Sequence, residues 1–444
     1  MNLRRWLRPG LGVKRWLVVV FVGLLFLALA LALLLRAVYR DVTIEGPLQG
    51  LVSAITLQWL PYEARGAILA TLGVGLFVVG SWRLMRALVG VYRPVDADQP
   101  LVELIYHKRF LSRGPRIVAI GGGTGLSTLL RGLKEHTSNL TAIVTVADDG
   151  GSSGALRTVL GVPAVGDIRN CIVALADAEP LMGQLLQYRF PADPGRPSDA
   201  EPATIAGHAI GNLLIAAMTA IEDGDFEEGI RQVNRVLAVR GRVVPVSATP
   251  LTLHARLRDG TVIDGQSRIA RTQGIERVWL TPEGVAATTD AVAAIAEADA
   301  IVLGPGSLFT SLLPALLVPA IADAVAVSPA TRILVCNVAT QPGETTGFDL
   351  ADHVEVLERH TRAGIADVVL ANNDFGARVS EGWRGEPVRL RWPPDGPEVP
   401  RLVLDGVVAP SNAHHHDPAR LATSIVRVIE QTGGRRRARA ARTA

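Results

Sequence analysis

Three clusters of small and polar residues have the composition to hold a phosphate. They are Gly121-Gly122-Gly123-Thr124-Gly125, Asp148-Asp149-Gly150-Gly151-Ser152-Ser153-Gly154, and Gly304-Pro305-Gly306-Ser307 with Thr310 and Ser311 close behind. Glycine lets a backbone approach an anion closely, and the N–H groups opening a following helix then point at it. Thr124 and Ser127 add hydroxyl donors to the first cluster. The adjacent carboxylates Asp148 and Asp149 can accept ribose hydroxyls or hold a divalent cation such as Mg²⁺. Ser152 and Ser153 continue that polar loop, and Arg157 follows as a candidate phosphate clamp. The first cluster fits neither common fingerprint. No Lys-Ser or Lys-Thr follows it, and Leu126 stands where a GxGxxG motif needs its last glycine. A structural or solvated turn is the plain alternative for each cluster taken alone.

Other polar residues fall near the same kind of junction. Asp167, Arg169 and Asn170 sit at a helix start, where Asp167 could equally be an N-cap. His208 and Asn212 are four residues apart and share a helix face. With Asp148 and Asp149, His208 completes the candidates for acid–base work, although packing alone would also explain it. Asn337, Thr340 and Gln341 follow a later strand. His414, His415 and His416 resemble a metal tract, but no carboxylate or cysteine is spaced to complete it, so a surface loop is expected there.

The elements that must position these residues alternate in type. Residues 116–120 (RIVAI) and 140–147 (LTAIVTVA) read as strands, and 126–135 as the helix between them. Residues 164–176 read as a loop feeding a helix; 208–221 and 226–237 read as helices. From 242 to 280, β-branched residues alternate with polar ones and Asp259-Gly260 offers a hairpin turn, which predicts a small antiparallel insertion. Residues 300–304, 332–336 and 367–371 are short apolar runs of the kind found in buried parallel strands. A last helix is expected over 419–430, started by Asp417-Pro418. The fold class is therefore α/β, a Rossmann-like doubly wound, mostly parallel sheet with a small antiparallel insertion. In such a sheet, ligands bind at the carboxyl ends of the strands.

A two-helix transmembrane hairpin is expected ahead of that domain. Residues 16–35 are twenty apolar residues without a charge, enough at about 1.5 Å per residue to cross a core of roughly 30 Å. A signal peptide is the alternative, but its apolar part is shorter and ends in a cleavage site. Residues 66–82 form a weaker second run, for which a buried core helix is the alternative. The spans are placed at about 16–38 and 66–88. Basic residues flank the pair on both outer sides, which puts both termini and the main domain in the cytoplasm. Residues 91–114 then form a linker, 115–431 the nucleotide-binding domain, and 432–444 a basic disordered tail.

The net charge of +3 over 444 residues excludes a general polyanion binder. Cys171 and Cys336 lie far apart, without metal spacing or a disulfide framework. No specific nucleic-acid partner is expected, and a homodimer stays open.

Taken together, residues 118–134 (VAIGGGTGLSTLLRGLK), 145–157 (TVADDGGSSGALR), 165–177 (VGDIRNCIVALAD), 187–190 (QYRF), 207–218 (GHAIGNLLIAAM), 304–314 (GPGSLFTSLLP) and 336–348 (CNVATQPGETTGF) resemble the YvcK-type gluconeogenesis factors. That family is similar to the phospholactate transferases (the CofD-like superfamily) of deazaflavin coenzyme synthesis. The resemblance implies a regulatory protein that binds UDP sugars, notably UDP-N-acetylglucosamine, and influences carbon use, cell-wall synthesis and cell shape. It attaches no settled reaction and leaves cell-wall or regulatory proteins as partners. The hairpin lies outside the family's common core.

The expected nucleotide and phosphate contacts are Gly121, Gly122, Gly123, Thr124, Gly125, Ser152, Ser153, Arg157, Asp167, Arg169, Asn170, Asn212, Gly304, Gly306, Ser307, Thr310, Asn337 and Thr340, with Asp148 and Asp149 as the candidate Mg²⁺ site. The alternative is a Mg²⁺-dependent transferase acting on a nucleotide-diphosphate substrate.

Overall fold

Short apolar runs with no polar interruption build the centre of the protein. In the computed structural model, β1 (Ile117–Gly121), β2 (Leu140–Val144), β7 (Ala300–Leu303) and β9 (Val368–Asn372) are buried at every position. Strands covered on both faces need such runs, and parallel pairing follows. The structure describes residues 110–176, 179–191, 205–379, 384–393 and 399–443, with five isolated positions before them. The chain divides into two units, Met1–Arg109 and Phe110–Ala444. The expected spans at 16–38 and 66–88, and the linker up to residue 109, lie outside the described residues. Among the described residues, no single helix is long and apolar enough to cross a membrane.

In chain order the elements are β1, α1 (Gly123–Leu133), β2, α2 (Gly151–Leu160), α3 (Gly166–Leu175), α4 (Glu179–Gln187), α5 (Ile210–Ile221), α6 (Phe226–Val236) and β3 (Arg242–Pro245). Then come β4 (Thr252–Leu257), β5 (Val262–Asp264), α7 (Gln266–Ile269), β6 (Ile275–Thr281), α8 (Thr289–Glu297), β7 and a π-helix, Leu308–Leu312. The chain continues with α9 (Leu313–Leu316), α10 (Pro319–Val327), β8 (Thr331–Val335), α11 (Leu350–His360), β9, β10 (Arg401–Asp405), β11 (Val408–Ala409), β12 (Asn412–His416) and α12 (Pro418–Thr443).

The main sheet has seven strands in the order β10-β9-β8-β7-β1-β2-β3, with every neighbouring pair parallel. From β1 the chain winds outward to β2 and β3, then returns to the centre and winds the other way from β7. Crossovers between parallel strands are right-handed as a rule, so arms that wind in opposite directions carry their helices on opposite faces. The reversal lies between β1 and β7, and a ligand crevice opens at the carboxyl ends of the strands there. Leu126, Leu129, Leu130 and Leu133 of α1 are all buried and recur at helical spacing. Each contributes about 1.5–3 kcal/mol of apolar burial. Gly132 on the same helix lets α12 approach: a β-carbon there would lie 1.9 Å from the Pro418 carbonyl oxygen.

Several boundaries differ from the sequence reading. The second unit begins at Phe110 rather than 115; Leu111 is buried and its carbonyl accepts from the Gly114 and Ser138 amides. The antiparallel insertion starts later than residue 242. Residues 242–245 form β3, which pairs with β2 at the edge of the main sheet, and the separate three-stranded sheet is β5-β4-β6. The Asp259-Gly260 turn does join β4 to β5. The tail expected to be disordered continues α12 as far as Thr443. Alanine and arginine are both strong helix formers, so a basic run need not break the helix.

Candidate functional site

The two glycine loops at the switch point touch one another. Gly122 caps α1, Gly123 has φ +65° and Gly304 has φ +76°, a backbone that glycine adopts without strain. A β-carbon on Gly125 would lie 2.6 Å from the Pro305 carbonyl oxygen and 2.9 Å from the Gly306 α-carbon. One on Gly306 would lie 3.2 Å from the Gly122 oxygen. Asn337, after β8, holds the second loop from the side. Its amide nitrogen donates to the Gly306 carbonyl at 2.9 Å, and its amide oxygen accepts from the Gly306 N–H at 3.3 Å. Gln341 Nε2 donates to Ser307 Oγ at 2.8 Å.

These loops open onto a cleft of about 220 Å³. It is lined by residues 122–125, Thr128, Pro305, Gly306, Ser307, Ser311, residues 337–339, Gln341 and residues 414–416. No Lys, Arg, Asp or Glu is among those lining residues. The cleft therefore offers backbone N–H groups, hydroxyls, amides and imidazoles, together with the amino end of α1. That set suits a phosphate whose charge is spread over many weak donors.

On the β2 side of the first glycine loop lies a second polar cluster. A β-carbon on Gly122 would lie 2.5 Å from Asp167 Oδ2, and one on Gly166 would lie 2.8 Å from Asp148 Oδ2. Glycine at these places lets the two acids press against the loops. The Asp167 carboxyl takes the Gly123 N–H, while its Oδ2 is buried without a hydrogen-bond partner. Burial first, and the neighbouring Asp148 charge second, push Asp167 up to about 7. Ser152 Oγ, at the start of α2, lies 3.0 Å from His208 Nδ1 and accepts from Asn212 Nδ2 at 3.0 Å. Asn212 Oδ1 accepts from Arg169 Nη1 at 3.0 Å, and Asn170 Oδ1 from Arg169 Nη2 at 3.1 Å. Arg169 Nε is buried without a hydrogen-bond partner.

Comparison with known proteins decides the family. Residues 117–384 match the family model described as 2-phospho-L-lactate transferase CofD. A putative gluconeogenesis factor of Clostridium acetobutylicum is 42% identical over 384 residues, 84% of this chain and 79% of that protein. The chain belongs to the CofD-like gluconeogenesis factor family, the YvcK/UPF0052 family. The gluconeogenesis factor of Bacillus subtilis is 48% identical over 265 residues, 60% of this chain and 80% of that protein. A crystal structure of a UPF0052-family protein from Bacillus halodurans superposes with a TM-score of 0.63 at 41% identity, covering 71% of this chain and 99% of that one. A putative gluconeogenesis factor of Deinococcus radiodurans is 39% identical across 96% of this chain and 89% of its own length. The segment ahead of the domain is therefore shared with some family members and lies outside the superposition with others.

Set against the family's α/β domain, the expected site residues divide. Gly122, Gly123, Thr124, Gly125, Gly306, Ser307 and Asn337 line the cleft; Gly121 and Gly304 lie directly behind it at the ends of β1 and β7. Asp148, Ser152, Ser153, Asp167, Arg169, Asn170, His208 and Asn212 gather in the second cluster, where a β-carbon on Gly166 would lie 2.5 Å from Ser153 Oγ.

Four expected residues turn elsewhere. The Arg157 guanidinium is committed to the Leu251 carbonyl and Thr252 Oγ1, both at 2.6 Å, so it braces β4 rather than clamping a phosphate. Asp149 Oδ1 accepts from the Ser267 N–H at 2.9 Å and from Ser267 Oγ at 2.7 Å, which ties the acidic loop to α7. Asp148 is the acid whose charge acts on Asp167, nineteen residues on. Thr340 is locked to Glu386: its N–H donates to the Glu386 carbonyl at 2.7 Å and its Oγ1 accepts from the Glu386 N–H at 3.0 Å.

Thr310 turns inward to Glu344, whose carboxylate also accepts from the Phe309 N–H at 3.3 Å, and Ser311 takes the cleft position. Among the described residues, no group of three His, Cys, Asp or Glu could hold a metal.

Sequence reasoning missed Glu344 and the cleft role of residues 414–416. Glu344 is buried, and burial pushes it up to about 7 despite the Thr310 and Phe309 bonds. Glu344→Ala leaves both donors unpaired and is expected to cost about 1–3 kcal/mol. Glu344→Gln keeps an acceptor and is expected to lose little at pH 8. Urea denaturation of both variants checks this. Asp149→Ala is expected to destabilise the fold by about 1 kcal/mol through the loss of Ser267, and a thermal midpoint equal to that of the parent would show the tether to be idle.

Proposed function

We propose that the protein binds a nucleotide sugar of the UDP-N-acetylglucosamine class and acts as a regulator of carbon use, cell-wall synthesis and cell shape. The carrying observation is the contact between two glycine loops at the switch point, with a cleft of backbone N–H groups and hydroxyls in front of them. A diphosphate fits the loops of residues 122–125 and 306–307. The acids on the β2 side would take ribose hydroxyls or a divalent cation. Asn212 and Asn337 would contact base or sugar in this reading. The two apolar runs at 16–35 and 66–82 would tether this domain to the inner face of a membrane, with cell-wall or regulatory proteins reading its state.

One observation favours the transferase reading as the alternative. Asp148 and Asp167 share a site, and Asp167 Oδ2 is buried without a partner. A Mg²⁺ ion bound by one or two carboxylates and by substrate phosphates would satisfy it. Such an ion supplies charge neutralisation on a transferring phosphate, while Arg169 would steady the anion.

Calorimetric titration of the full-length protein with UDP-N-acetylglucosamine, with and without Mg²⁺, separates the readings. Micromolar binding selective over GDP and NADP supports the nucleotide-sugar regulator. Binding of GDP with strict Mg²⁺ dependence, and none of the uridine sugar, supports the transferase.

A further inference from the structure

The cleft has a third wall that neither glycine loop supplies. It is β12, which pairs antiparallel with β11 and carries His414, His415 and His416. The strand is fixed at both ends. The Ala413 N–H donates to the Arg378 carbonyl at 2.7 Å, and the Asp417 N–H donates to the Val407 carbonyl at 2.9 Å. His416 is buried, and its Nε2 lies 3.2 Å from the Cys336 carbonyl, which pins β12 to the end of β8. His414 is half-buried, whereas His415 is exposed at the rim.

Anion recognition in this cleft lacks its usual agents, since no lysine or arginine lines it. Asn337 and Gln341 each commit one side-chain N–H to Gly306 and Ser307, and the His416 ring is held at Cys336. His415, an exposed imidazole on a fixed strand lining the same cleft as the two phosphate-type loops, adds a donor from a wall that neither loop supplies. We propose that His415 is a ligand-binding residue that donates an N–H to the diphosphate of the bound nucleotide sugar from the wall opposite the glycine loops. This rests on the nucleotide-sugar reading and names a contact which that reading alone does not require.

The test uses the full-length protein and three probes, UDP-N-acetylglucosamine, UDP and inorganic pyrophosphate, titrated calorimetrically. His415→Ala is expected to weaken all three about tenfold, the loss of one hydrogen bond to a charged group, with the thermal midpoint unchanged because the residue is exposed. His415→Gln, which keeps an N–H donor, is expected to recover part of that loss. Wild-type affinity for all three probes in His415→Ala would overturn the proposal. Binding of pyrophosphate but neither uridine nucleotide by the wild type would overturn the nucleotide reading while still testing His415. Binding of no probe by the wild type would overturn both.

Discussion

Gly125→Ala is expected to weaken nucleotide-sugar binding by one to two orders of magnitude and to destabilise the fold at the same time. The added methyl group would meet the Pro305 carbonyl oxygen at 2.6 Å and its carbon at 2.8 Å. Both are backbone atoms, so no rotamer change relieves the clash and the two loops must separate. Overpacking of this kind costs about 1–3 kcal/mol. Separation also misaims the N–H groups of both loops, and each charge-assisted bond lost removes about 1.5–3 kcal/mol of affinity. Gly161→Ala provides the control. Gly161 has φ +68° at the end of α2, and a β-carbon there meets nothing within 4 Å. It should cost stability through backbone strain alone and leave affinity untouched. Calorimetry and thermal denaturation of the two variants check this. A Gly125→Ala protein with parental affinity would show that the loop contact does not serve the ligand.

Asp167→Asn is expected to stabilise the protein above pH 7 and to flatten its stability between pH 4 and 7. The folded-state pKa of Asp167 is raised from 3.8 to about 7. The native state therefore holds a proton that the unfolded chain releases near 3.8. Stability from this group is complete below pH 4, falls as pH rises, and is gone once the pH passes 7. The loss is on the order of 4 kcal/mol at about 1.4 kcal/mol per pKa unit. Asparagine resembles the protonated acid and removes the dependence. Glu344 is raised into the same window, so the difference between variant and parent, rather than either curve alone, isolates Asp167. If the Asp148–Asp167 pair binds Mg²⁺, the ion favours the ionised form, and adding it at pH 8 should raise the thermal midpoint of the parent but not of Asp167→Asn. Parallel stability curves for the two proteins would contradict the buried, proton-retaining environment of Asp167.

How much of this was legible in the sequence depended on whether local pattern or tertiary contact decides each residue's role. The five inner strands can be read because burial on both faces demands short apolar runs, as in AIVL of β7. The edge strand β3 was assigned to the wrong sheet. Its RVVP is only four residues long and runs on into the insertion, so nothing local says which neighbour it pairs with. The strand β12, NAHHH, is largely half-exposed and its polar residues hide it, while β10, RLVLD, has only three apolar residues to mark it.

In the site, the glycine loops were visible because glycine at a strand–helix junction has few other uses. The choice between neighbours was not visible. Asp148 rather than Asp149 faces Asp167, because Ser267 on a distant element captures Asp149. Ser311 rather than Thr310 faces the cleft, because the chain there forms a π-helix, whose wider turn shifts which side chain points outward. The histidines 414–416 look like a loop in isolation and become a wall only when β12 pairs with β11.

The most direct test of the central claim is a crystal structure of the protein with UDP-N-acetylglucosamine. The account predicts the diphosphate in the cleft at the β1/β7 switch point, with its oxygens within hydrogen-bond reach of the N–H groups of residues 122–125 and 306–307. A nucleotide bound elsewhere, with those loops facing only solvent, would contradict it.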